Sequence, residues 1–308
     1  MSFILTIFLL IIFIPLFRRL KYGQTIRTDG PKTHLSKAGT PTMGGLAIGI
    51  AVIVSFLTAS FLVEIPHLPL FFIPFVLYLT IGFIDDFLIV TRKTSKGISA
   101  KTKIILQIIG AAIYYYVFLS YDLSTEIFFL KYKIDLKWGY GLLILLMFVA
   151  TSNAVNLSDG IDGLASGLTI ISLSAIAIIA YYFKEEAIFI FAIIIIASLM
   201  AFLCYNVNPA KVIMGDTGSL VLGATIANLM ILLKLELLLL IVAFVFVLEA
   251  LSVIVQVLYF KHTKGKRIFL MAPIHHHFEL KGYSEWQINI IFWFMAIISA
   301  IITLLLIL

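Results

Sequence analysis

The sequence predicts an all-α polytopic membrane protein with about ten transmembrane helices, and three observations carry that prediction. Of its 308 residues, 62% are hydrophobic and only 12% are charged, whereas a soluble domain holds roughly 45–50% and about 25%. The apolar residues form continuous runs approaching the ~20 residues that span a bilayer. They do not alternate with polar residues as in a membrane β-barrel. The loops between the runs alternate in charge.

The runs cover 2–17, 43–63, 70–90, 103–121, 139–156, 164–183, 187–205, 217–233, 237–260 and 286–307. Loops 18–42, 91–103, 206–216 and 261–285 hold all of the 22 Lys and Arg residues except Lys131, Lys133, Lys137, Lys184 and Lys234. The positive-inside rule makes those loops cytoplasmic. Parity adds loop 157–163, which has no basic residue, and ten spans leave both termini outside. Met1–Phe17 has no basic n-region and no small-residue cleavage site, and Arg18 and Arg19 follow it. It is expected to be an uncleaved anchor. With no internal repeat, 1–308 reads as a single transmembrane domain. The alternation in TEIFFLKYKIDLKW predicts a small external β-hairpin near 125–137. The single Cys204 excludes a disulfide framework and a cysteine metal site. The net charge of +6 reads as loop bias, with no nucleic-acid partner implied.

The dense polar clusters all fall on the cytoplasmic side. In SNAVNLSDGIDGLASG, Asn153, Asn156, Asp159 and Asp162 stand between two apolar runs. A helical continuation would put Asn156, Asp159 and Asp162 on one face, and Gly160 permits close approach of a ligand or backbone. Asp85 and Asp86 sit inside an otherwise apolar run, and ionisable groups at membrane depth point to function. In YNVNPAKVIMGDTGS, Asp216 opens a span, where helix N–H groups bind anions and a carboxylate can hold a divalent cation. Glu249 and Gln256 share a helical face; an interhelical hydrogen bond is the plain alternative for Glu249. His275, His276 and His277 are consecutive, so they do not make a zinc site, and contact with a phosphate or sugar suits them better.

Carboxylates, lysines and glycine turns at a membrane face suit phosphoryl transfer, which needs positioning and charge neutralisation. Mg²⁺ bridges phosphates through oxygen ligands. No P-loop, dinucleotide fingerprint or serine-hydrolase elbow is present. A proton-coupled transporter is the alternative of another class, but it calls for polar groups through the midplane.

The pieces KAGTPTMGG from Lys37, GFIDD, GISAK ending at Lys101, NAVNLSDGIDGLASG, GDTGSL, EALSVIVQV and KRIFLMAPIHHHFELKGYSE cover about 37–285. Through them the chain resembles the phospho-N-acetylmuramoyl-pentapeptide-transferases (MraY), within the polyprenyl-phosphate N-acetylhexosamine-1-phosphate transferase superfamily. APIHHHFE resembles the muramyl-pentapeptide branch, and UDP-GlcNAc:polyprenyl-phosphate transfer is the alternative within the class. The resemblance implies ten helices with both termini outside. It implies transfer of phospho-MurNAc-pentapeptide from UDP to undecaprenyl phosphate, giving lipid I and UMP with Mg²⁺, at the cytoplasmic face of the bacterial inner membrane. A homodimer is also implied. Carried over by position, Asp216 is the metal ligand, and Asp85, Asp86 and His275 join it as catalytic residues. Lys37, Lys101, Asn156, Asp159, Gly160, Asp162, Asn206, Gln256, His276 and His277 become substrate-binding. Loops 18–42, 91–103, 157–163, 206–216 and 261–285 are expected to form the active site. The chain departs from the family at Ile213, where an aromatic residue is common, and at Ile89, where a lysine is.

Overall fold

A computed structural model describes residues 1–20, 22, 23, 37, 39–93, 97–129 and 132–308. Of the residues that carried the charge argument, Lys21, Arg27, Lys32, Lys96 and Lys131 lie outside the described residues. The helices are α1 (Ser2–Arg19), α2 (Gly45–Ser60), α3 (Leu68–Arg92), α4 (Ala100–Ser120), α5 (Gly139–Ser158), α6 (Leu164–Tyr182), α7 (Glu186–Asn206), α8 (Gly215–Leu232), α9 (Leu239–Val242), α10 (Phe244–His262), α11 (Ile274–Leu280) and α12 (Glu285–Ile307). Among the described residues nine are long and apolar enough to cross a membrane, and α2 is a shorter apolar helix of 16 residues. Together they match the ten predicted runs.

Helix α8 is the axis of the bundle, buried from Thr217 to Ile231. It packs chiefly against α3 and α5. Without a hydrophobic drive between helices in lipid, small residues and interhelical hydrogen bonds hold such contacts. Gly82 of α3 is one, since a methyl group there would overlap the Asp216 backbone. Further along, Asn228 donates to the Leu70 carbonyl at 3.0 Å.

The structure corrects the expected run at 237–260, which is not one helix. A 3-10 turn at Glu236–Leu238 leads into α9, and the chain bends at Ala243 (φ −105°, ψ 23°) before α10. Carbonyls freed near a bend at membrane depth need new donors. Ser172 of α6 bonds the Val242 carbonyl at 2.8 Å, and Ser299 of α12 bonds that of Ile241.

Between α4 and α5, β1 (Glu126–Phe129) pairs antiparallel with β2 (Tyr132–Asp135), from Glu126 opposite Asp135 to Phe129 opposite Tyr132. This is the hairpin expected from the sequence. Chain alternation puts it at the opposite end of the bundle from the C-termini of α3, α5 and α7 and the N-termini of α4, α6 and α8. The polar clusters gather at that latter end. The two chain termini share the hairpin's end, since Glu285 at the start of α12 bonds Lys37.

Candidate active site

Asp86, near the end of α3, closes over the first turn of α8. Its carboxylate accepts the Asp216 N–H at 3.1 Å, the Thr217 N–H at 2.9 Å and the Thr217 hydroxyl at 2.6 Å. The first N–H groups of a helix have no partner within it, so Asp86 supplies one from another span. Its neighbour Asp85 points elsewhere, as residues about 100° apart must. It accepts the Ile98 N–H at 2.9 Å and pairs with Lys103 at 3.2 Å. Lys103 also bonds Asp216. Asn156, on the last turn of α5, donates to Asp216 at 2.7 Å and to Ser219 at 2.9 Å. Oxygens of Asp85, Asp86 and Asp216 lie within 4.8 Å of one another.

Asp159 adds a fourth carboxylate. It stands just past the end of α5 and accepts the Gly215 N–H. Burial, then the charges of Asp216 and Asp86, push its pKa well above the usual carboxylate range. Among the described residues, four acids stand around one ammonium, an arrangement short of positive charge. An all-oxygen donor set of this kind suits Mg²⁺, with Asp85, Asp86 and Asp216 as the residues that would hold it.

A second cluster lies across the 159–163 turn. Lys37 bonds Asp162 at 2.7 Å and Glu285 at 2.8 Å. Burial pulls its ammonium down, but the two carboxylates outweigh it and hold the pKa above the lysine value. Asp162 also accepts from Asn208 at 3.1 Å and the Ala210 N–H at 2.9 Å. Asn206 bonds the Gly163 N–H, the Ser166 hydroxyl and the Val212 carbonyl. Lys37, Asp159, Gly160, Ile161, Asp162, Asn206 and Ile213 line one small pocket.

The third group comes from the segment after α10. Gln256 accepts from the Ile268 and Phe269 N–H groups and donates to the Phe269 carbonyl, folding that segment back on α10. On α11, His275 meets Glu249, His276 meets Glu279 at 2.6 Å, and the Leu270 N–H donates to Nδ1 of His277. Burial, then Lys281, lowers the pKa of His277.

One expectation, the shared helical face, is corrected by this geometry. Asn156, Asp159 and Asp162 do not share a helical face, because α5 stops at Ser158 and the chain turns. Asn156 faces Asp216, while Asp162 faces Lys37. Lys101 stays exposed and outside the clusters; the Ser99 N-cap sets the phase of α4, and a residue two further on points about 200° away. Lys103 therefore takes the inward place. The three histidines diverge to three different partners. Sequence reasoning missed Lys103, Asn208, Thr217, Ser219 and Glu285 as members of these clusters. The capping box at Ser284 and Gln287 was the available signal for Glu285, since it fixes the start of α12.

The family model for glycosyl transferase family 4 matches residues 68–234, which spans α3 to α8. Signature 1 of the phospho-N-acetylmuramoyl-pentapeptide-transferases matches 37–48, which begins at Lys37. Proteins named phospho-N-acetylmuramoyl-pentapeptide-transferase from Listeria welshimeri and Bacillus subtilis are each 45% identical over 306 residues, covering 98% of this chain and 94% of theirs. That from Oceanobacillus iheyensis is 45% identical over 307 residues with the same coverage.

The chain belongs to the phospho-N-acetylmuramoyl-pentapeptide-transferase family.

The transferase-family signature and the acidic cluster, far apart in sequence, are joined in space. Gly44 and Gly45, within the signature, donate their N–H groups to the carbonyls of Ile213 and Met214, just before α8. The signature segment thus braces the loop that delivers Asp216.

Proposed function

We propose that this chain transfers phospho-N-acetylmuramoyl-pentapeptide from its UDP carrier to undecaprenyl phosphate, releasing UMP. The reaction takes place at the cytoplasmic face of the inner membrane and depends on Mg²⁺. The observation that carries this is the convergence of Asp85, Asp86 and Asp216 with Asn156 and Lys103 at one end of the bundle, next to the pocket beside Lys37. The basic loops at that end support its cytoplasmic orientation. The homodimer rests on the family resemblance alone.

The arrangement favours direct displacement. An oxygen of the lipid phosphate attacks the β-phosphorus, the bond from that phosphorus to the bridging oxygen breaks, and UMP leaves with the electron pair. Lys103 offers its ammonium to the phosphate oxygens, and Asn156 orients Asp216. Mg²⁺ held by Asp216 with Asp85 and Asp86 would neutralise the pyrophosphate. Asp86 is fixed in place by three donors and Asp85 by the Ile98 N–H and Lys103; trapping a sugar-phosphoryl-enzyme with labelled donor would refute direct displacement. Lys37, Asp159, Gly160 and Asn206 form the sugar-nucleotide wall. Ile213 stands in that wall without an aromatic ring to stack on uracil.

The test supplies purified full-length protein with radiolabelled UDP-MurNAc-pentapeptide or UDP-GlcNAc, undecaprenyl phosphate and Mg²⁺. Labelled lipid and UMP should form with the first donor alone. Lipid labelled from UDP-GlcNAc instead, or ion-coupled flux in proteoliposomes without any transfer, would contradict the assignment.

A further inference from the structure

Glu249 sits within α10 and is fully buried. An ionisable group this deep in a span is kept only with a partner. Its partner is His275, the second residue of α11 and equally buried, with Nδ1 3.1 Å from the Glu249 carboxylate. With a Glu249 oxygen as the acceptor, Nδ1 carries the proton of this bond and Nε2 is left open. Nε2 is buried and bonded to nothing, as is the second oxygen of Glu249. Most buried polar atoms find a partner, so two orphans in one buried pair call for an explanation.

The open nitrogen has a definite direction. It faces Gly160 so closely that a methyl group there would overlap the ring. Gly160 lines the same pocket as Lys37, Asp159 and Asn206. The neighbouring His276, with its ring centroid 4.0 Å from that of His275, is itself held by Glu279. Glu249 is therefore the group that orients His275, and it does so from inside the membrane-spanning part of the fold.

We propose that Glu249 is a positioning residue for His275, fixing its tautomer and direction so that Nε2 meets a polar group of the sugar-phosphate donor at the 159–160 turn. This rests on the transfer reaction proposed above. Carboxylates that orient metal-ligating histidines from behind contribute about 10–100-fold, and an effect of the same order is expected here.

The test uses the full-length protein in detergent, comparing Glu249→Gln, His275→Gln and the double variant. Glu249→Gln should lower kcat about 10–100-fold while KM for undecaprenyl phosphate stays within about twofold. In the His275→Gln background the same change should cost almost nothing, because the two act as one unit. Imidazole ¹⁵N NMR should show one histidine protonated at Nδ1 that is absent in His275→Gln and changes tautomer in Glu249→Gln. Equal losses in both backgrounds, or an unchanged tautomer, would overturn the proposal. If Glu249→Gln does not fold, an Nε2-protonated His275 in the unsubstituted protein overturns it just as well. Should the unsubstituted protein transfer nothing, the parent reaction fails, while the tautomer measurement still decides whether Glu249 sets His275.

Discussion

Asp86 and Thr217 are joined twice, through the Thr217 backbone N–H at 2.9 Å and its hydroxyl at 2.6 Å. One carboxylate thereby ties the end of α3 to the start of α8, where Asp216 sits. Thr217→Val removes the hydroxyl bond and keeps the volume. Hydrogen bonds to charged groups contribute about 1.5–3 kcal/mol, so a stability loss of that size, seen as a lowered melting temperature, is expected in detergent. Asp86→Ala should cost more, because it strands two helix N–H groups. An unchanged melting temperature in Thr217→Val would show that the cap holds nothing together.

Lys103 and Lys101 make a matched pair of opposite expectation. Lys103 touches Asp85 and Asp216, whereas Lys101 is exposed. Removing a preorganised charge from a transfer site costs on the order of 100-fold in kcat. Lys103→Ala should show a loss of that order, and Lys101→Ala should stay within about threefold. Steady-state kinetics of the two variants decide it; a larger loss at Lys101 would reverse the geometry.

Asp159 gives a pH signature. Its pKa in the folded protein is raised by burial and by Asp216 and Asp86. The folded state therefore holds a proton that the unfolded chain releases, and the associated stability is full below the unfolded pKa of about 4 and is lost as pH rises through the folded value. Asp159→Asn mimics the protonated side chain. It should melt above the unsubstituted protein at pH 8 without Mg²⁺, with the gap narrowing toward pH 4. A gap that stays constant with pH would mean that Asp159 does not carry the strain.

Much of this was legible because lipid imposes simple rules. Continuous apolar runs and alternating loop charge gave the spans, and their polar interruptions marked the site end. The bend at Ala243 was not legible, since Leu237–Phe260 is apolar on either side of it and the serines that stabilise it lie on α6 and α12. Lys103 was hidden by helix phase: GISAKTK offers two lysines, and only the Ser99 cap says which one turns inward. The separation of Asn156 from Asp162 depended on where α5 ends, and periodicity does not fix a helix terminus. Asp85, Asp86 and Asp216 were marked individually by their cost at membrane depth, but their convergence required the packing of α3 on α8.

We propose above all that Asp216 and its neighbours support Mg²⁺-dependent transfer to a lipid phosphate. Its most direct measurement is a Mg²⁺ titration of UMP release by the unsubstituted protein and by Asp216→Asn, with UDP-MurNAc-pentapeptide and undecaprenyl phosphate both saturating. Saturable Mg²⁺ activation in the first and at least a roughly 100-fold lower plateau in the second are expected. Full Mg²⁺-dependent turnover in Asp216→Asn would contradict the account.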